Sequence, residues 1–210
     1  MIKAIIFDLD GVIVSTDELH YQAWKHMADI EGIYFDRNIN NRLRGVSRRD
    51  SLEIILEKSP IIYNYNQKEI LTDFKNHYYR ELLKQLSPKD ILPNVKDVLL
   101  ELRKNKILLA IGSSSKNSKF ILQQIGLDTF FDAVADGNDV ENSKPAPDVF
   151  LKAAERLGID PSFCGVVEDA EAGIIAAKAA GMLGIAISDA TKSPYANYYL
   201  TDIKELLTIV

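Results

Sequence analysis

The sequence has few of the features that mark several large classes of protein. Cys164 is the only cysteine among 210 residues, so a disulfide within the chain is excluded. No apolar stretch reaches the roughly 20 residues that a membrane-spanning helix needs. No dense run of lysine or arginine marks a nucleic-acid surface, and the N-terminus lacks a charged-then-apolar secretory signal. We therefore expect a cytoplasmic monomer that binds neither nucleic acid nor membranes.

The composition is that of a folded protein with a sizeable core. Hydrophobic residues make up 47% of the chain, which is enough for one domain with an insertion or for two small domains. The 30 acidic residues outnumber the 25 basic ones, giving a formal net charge of -5. This balance does not exclude an anionic substrate, because the local charge of a site matters more than the net charge.

The most informative stretch lies near the N-terminus. Residues 2–7 are almost entirely apolar and predict a strand that is buried on both faces, as in parallel sheets. Asp8, Asp10 and Gly11 follow directly. Two neighbouring carboxylates at the end of such a strand repel each other unless a cation or a proton intervenes. Taken alone, the pattern fits a solvated turn as well as a ligand site.

Residues 15–87 show helical periodicity and no strand-like run. Ser15 and Glu18 have the spacing of a capping box, and later helices are predicted at about 51–58 and 67–85. Thr16, His20 and Trp24 share one row of the first helix at i, i+4 spacing. For His20 and Trp24 taken separately, a structural role in the core is the expectation. We predict a helical cap domain at 15–87, inserted into a domain formed by 1–14 and 88–210.

Strands and helices alternate in the remainder of the chain. Helices are predicted at about 95–104, 120–126, 148–157 and 170–180. Strands are predicted at 107–111, 131–135, 164–167 and 183–187, the last being the final strand. This alternation predicts an α/β fold with a Rossmann-like parallel sheet.

Polar residues that could take part in binding or catalysis fall at one edge of that sheet. They are Asp8 with Asp10, Ser113, Lys144, and Glu168 with Asp169. Singly, each has an ordinary explanation: Ser113 as a helix cap, Lys144 as a solvated lysine, and the acidic pair as a helix start. In an open parallel sheet, however, ligands bind beyond the carboxyl ends of the strands.

Together and in this order, these residues resemble the four motifs of the haloacid dehalogenase superfamily of phosphotransferases. The resemblance implies that Asp8 is a nucleophile phosphorylated in each cycle and that Asp10 is a general acid/base. Lys144 would pair with the phosphate and with Asp8, and Ser113 would donate a hydrogen bond to the phosphate. Mg²⁺ would be held among the four acids, namely Asp8, Asp10, Glu168 and Asp169.

The helical insertion resembles the β-phosphoglucomutase family, and that resemblance covers essentially the whole chain. It implies that Arg48 binds the phosphate that is not transferred and that His20 and Lys75 help to align Asp10 and the cap. The full set of implied substrate-binding residues is Thr16, His20, Trp24, Gly45, Val46, Ser47, Arg48, Lys75, Ser115, Lys116 and Asn117. Ser15 departs from the family, which usually has an aspartate there.

The implied reaction interconverts β-glucose 1-phosphate and glucose 6-phosphate through a sugar bisphosphate, so the enzyme would be an isomerase. The nearest alternative is a sugar-phosphate or phosphoglycolate phosphatase of the same fold, which would share the core residues. A haloacid dehalogenase is disfavoured because that chemistry needs neither Asp10 nor a metal ion. A non-catalytic binding protein is expected to lack Asp8, Lys144 or Asp169, and all are present.

Overall fold

The computed structural model describes residues 2–44 and 46–210 and contains a six-stranded parallel sheet. The strands are β1 (Ala4–Phe7), β2 (Leu108–Gly112), β3 (Ala133–Ala135), β4 (Cys164–Glu168), β5 (Leu183–Ile187) and β6 (Tyr198–Leu200). Their order is β3-β2-β1-β4-β5-β6, so β1 lies in the middle, paired with β2 and β4. The parallel α/β fold is therefore confirmed.

Helices cover both faces of this sheet. They are α5 (Val95–Lys104), α6 (Ser118–Gln124), α7 (Asp148–Leu157) and α8 (Glu171–Ala179). Ile5 and Phe7 of β1 pack into one hydrophobic cluster with residues of α5 and α6, whereas Ala4 and Ile6 pack into another with residues of α7 and α8. Because side chains alternate along a strand, a strand buried on both faces must be apolar throughout.

The segment between β1 and β2 forms α1 (Asp17–Ile30), α2 (Arg37–Asn41), α3 (Arg48–Leu56) and α4 (Tyr65–Leu83). These helices have their own apolar cluster, which includes Trp24, Met27 and Leu52. The chain enters and leaves this segment side by side, because Val14 forms an antiparallel bridge with Ile91. In the described chain, 15–87 contains no strand, as expected, and the proposed domain boundaries stay a prediction.

Several local predictions were wrong. Ser15 does not cap α1: Thr16 is the N-cap and makes no side-chain capping bond. α3 begins at Arg48 rather than at 51, because the Ser47 hydroxyl accepts a hydrogen bond from the Asp50 amide.

Helix α4 starts two residues earlier than expected, at Tyr65, because Asn64 and Gln67 form a capping box. Strand β5 is not the last, since β6 follows it; three residues at a sheet edge give too short a pattern to detect.

The short helix α2 was also missed, because its five polar and apolar residues show no helical period. Among the described residues, no helix combines the length and the apolar character that crossing a membrane would require.

Candidate active site

Asp8 lies at the carboxyl end of the central strand, and its main-chain amide donates to the Val167 carbonyl. Its side chain is almost buried, and Lys144 reaches it from the loop before α7. The Lys144 Nζ atom lies 2.5 Å from Asp8 Oδ1 and 2.6 Å from Glu168 Oε1. Burial alone would lower the pKa of Lys144, but the two carboxylates outweigh it and hold that pKa above its usual value. Lys144 is therefore a buried ion-pair partner rather than a solvated lysine.

Three carboxylates converge around this lysine. Asp8, Glu168 and Asp169 each place one carboxylate oxygen within 4.8 Å of the others. Burial, together with Glu168 and Asp8, raises the pKa of Asp169 to about 9 in the absence of a cation. Burial also raises the pKa of Glu168, although Lys144 opposes the shift. Because one lysine cannot neutralise three carboxylates, this oxygen-only set fits a hard divalent cation such as Mg²⁺.

Gly11 makes room for this acidic group. Its backbone adopts a φ of +83°, and a Cβ atom built there would lie 2.1 Å from Asp169 Oδ2. Any side chain at position 11 would therefore be strained and would displace the Asp169 carboxylate.

The Asp10 carboxylate is not part of the three-carboxylate group. Its Oδ1 accepts from the Thr16 amide at 2.6 Å and its Oδ2 accepts from the Thr16 hydroxyl at 2.6 Å. Burial raises the pKa of Asp10 to about 6, against these hydrogen bonds and with help from Asp8. The two aspartates thus have different environments although they are two residues apart. A metal-binding role for Asp10 stays a prediction.

Behind Asp10 lies a group of residues from α1 and α4, in which Trp24, Lys75 and Tyr79 are buried and His20 is partly exposed. Lys75 Nζ lies 2.8 Å from His20 Nδ1, and it also lies over the rings of Trp24 and Tyr79 at 4.7 and 4.4 Å. His20 Nε2 is 3.9 Å from Asp10 Oδ2. Burial lowers the pKa of Lys75, and Arg48 lowers it further; burial and Lys75 likewise lower the pKa of His20. The row of Thr16, His20 and Trp24 therefore faces Asp10 and Lys75.

Arg48 begins α3 on the same side of the cavity. Its side chain is half-buried and forms no ion pair with any residue that the structure describes. Burial lowers its pKa, while Asp73 and Glu69 raise it slightly. Val46 and Ser47 precede it along the cavity wall, whereas the predicted Gly45 lies outside the described residues.

Ser113 follows β2 and is buried, with its hydroxyl accepting from the Ser115 amide at 3.2 Å. It is not a helix cap, because the N-cap of α6 is Asn117. The Asn117 side chain donates to Asn76 Oδ1 of α4 at 3.0 Å, so it joins the α/β part of the chain to the helical segment.

One cavity of about 1320 Å³ brings almost all of these residues together. Of the predicted site residues that the structure describes, only Thr16 does not line it, because it is buried behind Asp10. Ser15 also lines it. Sequence reasoning missed the lining residues Asn76 and Tyr79. Both lie on α4 at i+1 and i+4 from Lys75, and that spacing could have pointed to Tyr79.

Comparison with known proteins agrees with this geometry. The haloacid dehalogenase-like hydrolase family matches residues 2–181. A β-phosphoglucomutase of Bacillus subtilis is 43% identical over 187 residues, which cover 88% of this chain and 83% of the relative. A fructose-1-phosphate phosphatase of Escherichia coli is 34% identical, with 85% and 92% covered.

A crystal structure of β-phosphoglucomutase from Clostridium difficile is also similar. It has a TM-score of 0.91 and 35% sequence identity, and the match covers 99% of this chain and 96% of that one. The family match spans most of the chain, and both sequence and structure resemble β-phosphoglucomutases. The chain therefore belongs to the haloacid dehalogenase-like hydrolase family, within its β-phosphoglucomutase branch.

Proposed function

We propose that this enzyme is a β-phosphoglucomutase, which interconverts β-glucose 1-phosphate and glucose 6-phosphate through β-glucose 1,6-bisphosphate. The observation that carries the proposal is a single cavity with a buried acidic group on one side and, on the other, an arginine that forms no ion pair with any described residue. A sugar bisphosphate has one phosphate for the metal-binding acidic group and a second phosphate for the arginine. The 43% identity with the Bacillus subtilis β-phosphoglucomutase supports the same substrate class.

Asp8 is the proposed nucleophile. Its carboxylate is fixed by Lys144 at 2.5 Å and lies at the end of a rigid strand, which is the kind of positioning that phosphoryl transfer needs. Asp8, Glu168 and Asp169, with Asp10 as a further predicted ligand, would hold Mg²⁺. Bound Mg²⁺ would neutralise the developing charge on the phosphoryl oxygens. Ser113 and the amides after Leu9 would donate hydrogen bonds to the same group.

Asp10 is the proposed general acid and base. In one half-reaction, phospho-Asp8 transfers its phosphoryl group to the 6-hydroxyl of β-glucose 1-phosphate while Asp10 accepts the hydroxyl proton. In the other, Asp8 attacks the phosphate at C1, the C1 oxygen–phosphorus bond breaks, and Asp10 returns the proton to that oxygen. A pKa of about 6 allows both protonation states near neutral pH.

The helical segment would bind the rest of the substrate. Arg48 would pair with the phosphate that is not transferred, because it is half-buried and has no carboxylate partner in the described chain. His20 and Lys75 would align Asp10. The sugar would contact Thr16, Trp24, Val46 and Ser47 from this side and Ser115, Lys116 and Asn117 from the other. A contact with Gly45, which lies outside the described residues, stays a prediction.

A sugar-phosphate phosphatase is the second candidate, favoured by the 34% identity with the Escherichia coli fructose-1-phosphate phosphatase. The two activities differ only in whether a sugar hydroxyl or water attacks phospho-Asp8. Ser15 bears on this choice because it lines the cavity where the family usually has an aspartate. Action as a monomer, a cytoplasmic location and the choice of Mg²⁺ over other divalent cations stay predictions.

The deciding experiment incubates the enzyme with β-glucose 1-phosphate, a catalytic amount of the bisphosphate and Mg²⁺. Glucose 6-phosphate and free phosphate are measured in the same sample. A mutase produces glucose 6-phosphate with little free phosphate. Free phosphate released in step with substrate loss would instead establish the phosphatase.

A further inference from the structure

Gly173 occupies a place in α8 where glycine is otherwise a poor choice. It lies in the first turn of a nine-residue helix, in an ordinary helical conformation that alanine adopts more favourably. Nothing in its backbone therefore requires glycine. The reason must be the space that a side chain would occupy.

That space belongs to Glu168. A Cβ atom built on Gly173 would lie 2.0 Å from Glu168 Cδ, 2.0 Å from Glu168 Oε1 and 2.4 Å from Glu168 Cγ. These are its three nearest neighbours outside the helix, so the Glu168 side chain is the first obstacle that a side chain here would meet. An alanine and the Glu168 carboxylate could not both keep these positions.

Both carboxylate oxygens of Glu168 accept hydrogen bonds in this position. Oε2 accepts from the Ala170 amide at 3.0 Å, which ties the carboxylate to the start of α8. Oε1 accepts from Lys144 Nζ at 2.6 Å, and the same nitrogen lies 2.5 Å from Asp8. The oxygen that a Cβ would displace is therefore the one that places Lys144 against the nucleophile.

We infer that Gly173 is a positioning residue. Because it has no side chain, it leaves free the space that the Glu168 carboxylate occupies, which we call the seat. Through Glu168 it fixes Lys144 and the group of three carboxylates. The inference rests on the proposed function only in that this group serves phosphoryl transfer. The seat itself follows from the packing of α8 against the end of β4.

The first test compares Gly173→Ala with Gly184→Ala, a matched control in β5 where a Cβ would find its nearest neighbour at an ordinary 3.5 Å. Mg²⁺ affinity is measured by calorimetry, without substrate. We expect Gly173→Ala to lose at least about tenfold, the effect of disturbing a residue that supports metal ligands. Gly184→Ala should bind Mg²⁺ as wild type does. Measurable and equal affinity in all three proteins would overturn the inference.

The second test is a cycle of melting temperatures in EDTA, with and without Glu168→Ala. In the wild-type background, Gly173→Ala should lower the melting temperature, because Glu168 must leave Lys144. In the Glu168→Ala background the obstacle is gone, and the better helix former should raise the melting temperature by about 2–4 °C. A similar decrease in both backgrounds would show that Gly173 serves packing instead.

The two tests separate this inference from the proposed function. The melting cycle needs neither metal nor substrate, so it tests the seat even if wild-type enzyme binds no Mg²⁺. In that case the metal assignment would be wrong, and opposite signs in the two backgrounds would still support the seat. If the enzyme proves to have no mutase activity, the melting-temperature cycle would still test whether Gly173 makes room for Glu168.

Discussion

The two sides of the cavity differ in the ionisable groups that they hold. On the side formed by the sheet, Asp8, Glu168 and Asp169 surround Lys144, and the pKa of Asp169 rises to about 9. On the side formed by α1, α3 and α4, burial lowers the pKa values of His20, Lys75 and Arg48. In both places burial disfavours the charged form.

This difference indicates what each side binds. Carboxylates that have too little positive charge near them are suited to a metal ion, whereas a half-buried arginine that pairs with no carboxylate of the described residues is suited to a phosphate. The proposed sugar phosphate, bound together with a metal ion, would supply both. The comparison predicts that damage to the sheet side stops the chemistry itself, and that damage to the helical side weakens only reactions of substrates that reach it.

The largest effect is expected for Asp8→Asn. Because Asp8 is the proposed nucleophile, the variant should lose every phosphoryl transfer, with sugar phosphates and with acetyl phosphate alike. Intact-protein mass spectrometry after incubation with acetyl phosphate and Mg²⁺ should find no added phosphoryl group. Labelling at the wild-type level would place the nucleophile elsewhere.

Metal removal should be nearly as damaging. EDTA should abolish turnover and Mg²⁺ should restore it, since uncompensated carboxylates would repel the substrate phosphate. Full activity in EDTA would contradict the metal assignment.

Asp169→Ala should weaken Mg²⁺ binding severely without destabilising the metal-free protein. A carboxyl whose pKa rises on folding destabilises the folded state at every pH above its unfolded value, so its removal should leave the melting temperature in EDTA unchanged or higher at neutral pH. Calorimetry with Mg²⁺ and thermal melts in EDTA measure the two effects. A marked loss of stability in EDTA would mean that Asp169 is structural.

On the helical side, Arg48→Ala should reduce activity towards sugar phosphates by roughly ten- to a hundredfold, because a charge-assisted pair contributes about 1.5–3 kcal/mol. Acetyl phosphate has no second phosphate and should be affected little. Arg42→Ala is the control, since Arg42 pairs with Glu57 at the surface, away from the cavity. Equal losses with both donors would mean that Arg48 holds the helices together.

A smaller effect is expected for Thr16→Val, which removes one of the two hydrogen bonds to the Asp10 carboxylate and keeps the main-chain one. A bond of about 1.5 kcal/mol corresponds to a loss of roughly tenfold in transfer to sugar. Labelling by acetyl phosphate should not change. If labelling fell as much as transfer, Thr16 would act on Asp8 rather than on Asp10.

The sheet side of the site could be predicted from sequence better than the helical side. Asp8 and Glu168 come to one point because parallel strands end at one edge, and the loop that leads from that edge into α7 brings Lys144 to them. His20 and Lys75 are 55 positions apart in the sequence and lie on different helices. Helical periodicity does not determine which helices pack together. Resemblance to the family indicated both residues; the residue pattern of α4 did not.

Other features could not be predicted because their cause is tertiary. The capping box predicted for Ser15 and Glu18 does not form, and the N-cap is Thr16, whose hydroxyl donates to Asp10 instead of capping the helix. The sequence predicted a helix at about 170–180 but gave no role for Gly173, which only the position of Glu168 explains.

Asp10 lies between the two sides, because it follows β1 and its carboxylate is bound by Thr16 at the start of the helical segment. Asp8 is proposed to accept and donate the phosphoryl group, and Asp10 is proposed to accept and donate the proton. A carboxylate leaving group, with a pKa of about 4, needs almost no protonation at neutral pH, whereas a sugar oxygen does. Asp10→Asn should therefore permit phosphorylation of Asp8 by acetyl phosphate but impair transfer of that phosphoryl group to the sugar.

The most direct measurement follows the mass of intact Asp10→Asn protein after acetyl phosphate and Mg²⁺, before and after glucose 6-phosphate is added. We predict labelling at a rate not far below wild type, followed by a phospho-enzyme that persists, because the attacking hydroxyl or water lacks its base. General acid/base catalysis typically contributes about 10²–10⁴-fold, so the persistence should be long. If labelling by acetyl phosphate disappears as completely as in Asp8→Asn, this division of labour is wrong.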